Sequence, residues 1–196
     1  MVSLISMGLS ASAYANLATD IQSILHATQT IRGEFYQTKK LVGIPKTLKS
    51  NGHFIVDQEL GVLWQSIKPF NTTTLIKKGE LVQKSEGRVL MSLSASQEPA
   101  IKSITSILFA TLAGDFIALE KIFTLDGVIR VDKTWQVTLF PKDNAVKNLI
   151  QTIQLTGSTV VDSAQLKMRN GDTTNIVFKN IEDISLSREQ YLGEFN

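Results

Sequence analysis

The chain has 196 residues, 43% of them hydrophobic and 19% charged, a balance that excludes intrinsic disorder and gives one domain a full hydrophobic core. Twenty Lys and Arg against 18 Asp and Glu leave a formal charge of +2, too even for a dedicated nucleic-acid binder. Cysteine is absent, which excludes disulfides, thiolate metal sites, a Cys nucleophile and a lipidated N-terminal Cys.

Residues 1–15 are uncharged, apolar or small, and end in Ala13-Tyr14-Ala15. That is the form signal peptidase cleaves, and the stretch is too short to span a bilayer. The expectation is a leader cut before Asn16, a single domain over 16–196, and a mature protein in the periplasm of a diderm cell. No Lys or Arg precedes the apolar run.

Asp20 to Ile31 reads as an amphipathic helix with Thr19 or Asp20 as its cap. From Gly33 onward the pattern becomes strand-like. Strands are expected over Glu34–Val42, Leu48–Val56, Val62–Ile67, Thr72–Lys77, Leu81–Lys84 and Arg88–Leu93. Alternation puts Phe54 and Val56 on one face and His53 and Ile55 on the other. A helix capped by Ser96, with Glu98 and Pro99 in its first turn, runs to Ala113; Gly114 closes it and Asp115 caps a second, Phe116–Lys121. The first is apolar over more than one stripe and needs contact on two sides. Strands resume at Phe123–Leu125 and Val128–Asp132 around an Asp126-Gly127 turn, then at Trp135–Leu139. After a short helical connection over Asp143–Leu149, strands follow at Ile150–Thr156, Thr159–Met168 and Thr174–Lys179, the last two joined by Asn170-Gly171-Asp172. Ser187–Asn196 carries no pattern. The sum is an α+β chain, mainly β, with nine to eleven short antiparallel strands, an N-terminal helix and a helical insertion.

Catalytic chemistry is sparse. No phosphate loop, zinc motif or nucleophile elbow is present. The only histidines are His26 and His53. The pairs Asp57 with Glu59 and Glu182 with Asp183 read as solvated turn residues. No enzyme activity, metal or cofactor is expected. Lys39, Lys40, Lys46 and Lys49 bracket one hairpin; they read either as charge that guards against edge aggregation or as a docking patch for an acidic partner or anionic headgroups.

Arg32-Gly33-Glu34-Phe35-Tyr36-Gln37, then Gly52-His53-Phe54, Trp64 and Pro69, then Leu75-Ile76-Lys77-Lys78-Gly79, resemble the opening strands of the LolA-like outer-membrane lipoprotein carriers in order and spacing. Gly43-Ile44-Pro45-Lys46-Thr47-Leu48 is similar to a divergent group within them. The resemblance implies a single curved antiparallel sheet forming an open half-barrel, with an N-terminal helix and a helical lid over an apolar cavity. It implies a monomeric carrier of acylated cargo, taking it from an inner-membrane export complex to an outer-membrane acceptor. Where the best-known carriers hold the lid with an Arg, this chain has Gln58, followed by Glu59 in place of a Pro, so Gln58 is the latch candidate. Cavity-wall candidates are Phe35, Phe54, Val56, Val62 and Trp64; lid candidates are Ile101, Ile104 and Leu108. Two other readings stay open: a carrier of a glycolipid or lipid-linked pigment, and a non-transporting lipid or peptide sensor of the same fold. A third, an enzyme inside the cavity, has only His53 and the turn carboxylates to draw on. Zero cysteine excludes the lipid-anchored receptor branch.

Overall fold

The computed structural model describes residues 16–25, 28–97 and 100–195, without the side chains of 100–104 and 192. The leader expected over 1–15, His26, Glu98, Pro99 and the side chains of Ile101 and Ile104 lie outside the described residues.

Helix α1 (Leu17–Ile24) is capped by Asn16, whose side-chain oxygen accepts the N–H groups of Ala18 and Thr19. It is shorter than the run to Ile31 that its apolar spacing suggested. Thr30 and Ile31 pair instead with Asp57 and Val56, and ladder formation overrides a weak local helical preference.

Eleven strands follow among the described residues. Six precede the helical insertion: β1 (Thr30–Lys40), β2 (Leu48–Asp57), β3 (Gly61–Lys68), β4 (Thr72–Lys77), β5 (Glu80–Ser85) and β6 (Arg88–Ser94). Five follow it: β7 (Phe123–Ile129), β8 (Trp135–Pro141), β9 (Ile150–Gly157), β10 (Val161–Met168) and β11 (Thr173–Asp183). They form one antiparallel sheet in the order β6-β5-β4-β3-β2-β1-β11-β10-β9-β8-β7. The sheet is open, with β6 and β7 as its edges. The chain leaves one edge as α2 (Ala100–Ala113) and returns to the other through α3 (Phe116–Ile122), so the insertion crosses one face. Gly114 closes α2 with φ +68°, and Asp115 caps α3 through the N–H of Ala118. The short helix α4 (Asn144–Lys147) joins β8 to β9 and is capped by Asp143.

One expected turn is absent. Asp126-Gly127 lies inside β7, paired with Thr138 and Val137. A Cβ on Gly127 would sit 2.2 Å from the carbonyl oxygen of Gln136, so this glycine permits close strand approach rather than a reversal.

Two cores result. The larger lies between the sheet and α1, α2 and α3, and contains Phe35, Phe54, Val56, Val62, Phe116, Trp135 and Val137. The smaller lies on the opposite face, where the alternate residues Ile55 and Leu63 meet Ile184 and Phe195. The tail that carried no sequence pattern is a 3₁₀ segment, Ser185–Phe195, and it covers the part of this second face around Ile55 and Leu63.

Candidate functional site

The helix-bearing face is not completely filled. Between α2 and the sheet lies an apolar cavity of about 290 Å³. Its roof is Ile107, Leu108, Thr111 and Leu112 of α2. Its floor is Gln37 of β1, Trp64 of β3 and Ile176 and Phe178 of β11; Ile153, Ala164 and Leu166 form one wall. Leu149, Ile150 and Met168 line the end nearest the β8–β9 and β10–β11 connections. Leu149 is 44% exposed and marks the mouth.

Period-2 alternation builds the floor. Phe178 and Ile176 project from one side of β11, as do Leu166 and Ala164 of β10, while the intervening residues face away. An α-helix laid across such a surface meets it along i, i+3 and i+4 rows, and the spacing of Ile107, Leu108, Thr111 and Leu112 is of that kind.

An aromatic group separates the cavity from the core. Phe35 stacks on Trp64 with ring centroids 3.8 Å apart, and Phe54 meets Phe178 edge-on at 5.4 Å. Trp64 and Phe178 line the open space; Phe35 and Phe54 lie behind them in the core. Two glycines make this possible. A Cβ on Gly33 would lie 2.8 Å from the Phe54 ring, and one on Gly52 would lie 1.8 Å from the backbone oxygen of Gln65.

Of the wall and lid candidates, Trp64 and Leu108 line the cavity. Phe35, Phe54, Val56 and Val62 are buried in the core around it. Val62 sits between Val56 and Ile76 on neighbouring strands. The Ile107, Leu112, Ile153, Leu166, Ile176 and Phe178 side chains were not singled out from sequence; the alternation in β10 and β11 is the signal that marks the last three.

Gln58 donates to the carbonyl of Thr28, 2.8 Å away. It ties down the segment that leads from α1 into β1, rather than α2. His53 is exposed, on the face away from the cavity, beside a polar groove with Arg32, Glu34 and Tyr191. The described imidazole is therefore not in the cavity.

Asp57 is not a solvated turn residue. It is 1% exposed, accepts from the Thr30 hydroxyl at 2.7 Å and from the backbone N–H groups of Glu59 and Leu60, and is gripped by Arg188 of the 3₁₀ segment. Burial pushes its pKa up, but the bonds from Arg188, Thr30 and the two N–H groups outweigh that and hold the carboxyl well below the usual range. Glu59 stays exposed and takes a second bond from Arg188. Glu182 is paired with Arg32 at the surface. None of these carboxylates lines the cavity.

Thr111 stands apart from its apolar neighbours. Its hydroxyl is buried and has no hydrogen-bond partner among the described residues. Among those residues no cluster of His, Asp or Glu is arranged to hold a metal, and no helix is long and apolar enough to cross a membrane.

The model of the family described as outer membrane lipoprotein carrier protein LolA-like matches residues 10–172. This chain belongs to that LolA-like family. The match spans every strand up to the end of β10, and so includes most of the cavity and all of α2. Among solved structures, a LolA superfamily protein from Nitrosomonas europaea is 10% identical, over 84% of this chain and 92% of its own, with a TM-score of 0.43. A DUF1329 family protein from Desulfovibrio piger is 13% identical, over 85% and 90%, with a TM-score of 0.45. No curated protein sequence matches the chain. LolA-like proteins are carriers rather than enzymes, and the cavity of this member offers apolar surface and no catalytic group among its lining residues.

Proposed function

We propose that this LolA-like protein is a periplasmic carrier that holds the acyl chains of a lipidated molecule in the cavity beneath α2 and delivers it toward the outer membrane. The observation that supports this is the lining itself. Every described lining residue except Gln37 and Thr111 is apolar, and the space opens at one end beside Leu149. Each CH₂ removed from water contributes about 0.8 kcal/mol, so an acylated molecule does not leave a bilayer at useful rates unless an apolar host receives it. The volume sits at the lower end of ligand sites, roughly 300–1,000 Å³.

The cargo class is an acylated molecule, a lipoprotein being the family precedent. A test is native purification of the protein from its source envelope, followed by solvent extraction and mass spectrometry. A stoichiometric acylated species supports the reading and names the cargo. Extraction of nothing, together with no uptake of a fluorescent fatty acyl probe by the purified protein, overturns it.

A further inference from the structure

The even net charge conceals a strongly polarised molecule. In an antiparallel sheet, alternate connections fall at the same end. The β1–β2, β3–β4, β5–β6, β8–β9 and β10–β11 connections all lie at the end where the cavity opens. The segments that form this rim are 39–49, 68–72, 84–88, 141–149 and 167–173. Together they contain eleven Lys and Arg and three Asp and Glu, a formal charge of +8; against the chain total of +2, that leaves −6 for all other residues. Two of the three rim carboxylates are occupied locally, Asp143 as the cap of α4 and Asp172 as acceptor of the Val42 N–H.

The β1–β2 hairpin extends past β3 on one side of this rim, while on the other β11 pairs with β1 as far as Lys40 and the β10–β11 turn meets Val42. Lys68, the last residue of β3, pairs with Asn51, so the preceding three residues of β2 continue beyond it, about 10 Å at the usual strand rise. The hairpin tip mixes two kinds of side chain. Lys40, Lys46 and Lys49 are exposed, and between them Val42 is 67% and Ile44 48% exposed. On the next connection, Phe70 is 75% exposed beside Lys68.

We infer that this rim docks on an anionic phospholipid bilayer surface, with the cavity mouth facing the membrane. The inference rests on the carrier reading and adds where the cargo is exchanged. Lysines provide long-range attraction to anionic headgroups, and the interleaved Val42, Ile44 and Phe70 enter the headgroup boundary. An acidic protein surface satisfies the charge but leaves those apolar tips against polar groups, whereas a bilayer accommodates both. Leu149 at the mouth lies on the same rim, so a docked molecule passes an acyl chain between bilayer and cavity without exposing it to water. The remaining negative charge sits away from the rim and orients the approach.

The test is flotation of the full chain with phosphatidylcholine vesicles, with and without about one-third phosphatidylglycerol. Binding is expected only to the anionic vesicles, and is expected to fall away at ~0.5 M NaCl, where the Debye length is a few ångströms. Lys46→Glu/Lys49→Glu reverses two exposed charges at the tip and is expected to weaken binding at least about tenfold, with an unchanged circular dichroism spectrum. Ile44→Ser weakens it without altering its salt dependence. Equal binding to both vesicle types, no binding to anionic vesicles, or wild-type binding by the double charge reversal overturns the inference. Retention on an immobilised acidic polypeptide with no vesicle binding also overturns it, in favour of a protein partner. Uptake of a soluble fatty acyl probe, measured on the same preparations, separates the two readings. Uptake without vesicle binding removes only the docking surface, and absence of uptake removes the carrier.

Discussion

Arg188 clasps Asp57 across 131 residues of sequence: its Nε donates to Oδ2 at 2.5 Å and its Nη2 to Oδ1 at 3.1 Å. The bond fixes the C-terminal 3₁₀ segment to the β2–β3 turn and seals Ile55 and Leu63 beneath Phe195. Arg188→Ala leaves the buried Asp57 charge without its cation and is expected to cost about 3 kcal/mol in urea unfolding. The sign of the pH dependence follows from the depressed Asp57 pKa. Its contribution is fully present above the ordinary carboxylate value near 3.8 and is lost as pH falls through the lower folded value. The wild-type urea midpoint therefore declines as the medium is acidified through that range. Asp57→Asn shows a shallower decline, and an equally steep one removes Asp57 from the acid-sensitive set.

Leu108 and Val62 distinguish cavity from core. Leu108 lines the cavity and is partly exposed, so Leu108→Glu places a carboxylate at the roof where it still reaches water. Acyl-probe uptake is expected to drop at least about tenfold while the fold survives. Val62 is fully buried between strands, and Val62→Glu has no partner for its charge. It is expected to abolish cooperative unfolding altogether, or to fold only with the acid protonated. Probe uptake by a folded Leu108→Glu protein at wild-type level removes α2 from the site.

Trp64 is placed to report occupancy. The chain has two tryptophans. Trp135 is sealed in the core with its indole N–H on the carbonyl of Ser158 at 2.7 Å, whereas Trp64 lines the cavity. In Trp135→Phe, addition of a fatty acid is expected to shift or quench the remaining fluorescence. In Trp64→Phe the signal is expected to be insensitive to it. A response from Trp135 alone would place the ligand elsewhere.

Thr111 offers a stability test with the opposite sign. Its buried hydroxyl lacks a partner among the described residues, and Thr111→Val removes the unsatisfied group while keeping the shape. The substitution is expected to stabilise the empty protein by about 1 kcal/mol in urea unfolding. A destabilised variant shows that the hydroxyl has a bond in solution.

Local sequence carried much of the fold. Strand alternation placed ten of the elements within a few residues, because a strand that buries one face must repeat apolar residues every second position. Asp115 and Gly114 marked helix ends through short-range chemistry. Where local pattern misled, a distant partner decided. Thr30 joined the sheet because Asp57 and Val56 offered a ladder, and Asp126-Gly127 stayed extended because Gln136 lies against it. Asp57 is buried because Arg188 reaches it from the far end of the chain, a pairing that spacing does not reveal.

The sequence by itself determined an antiparallel β-rich chain with a helical insertion, a set of apolar-site candidates that mixed Trp64 and Leu108 with Phe35, Phe54, Val56 and Val62, and a lysine-bearing hairpin. Only the tertiary structure decided which apolar side chains close into core and which bound open space: Val62 and Trp64 share one strand face, yet Val62 is fully buried and Trp64 lines the cavity. It also decided the charge polarity. Each basic residue is unremarkable along the chain, and an antiparallel sheet gathers alternate connections at one end, where they surround the mouth of the cavity.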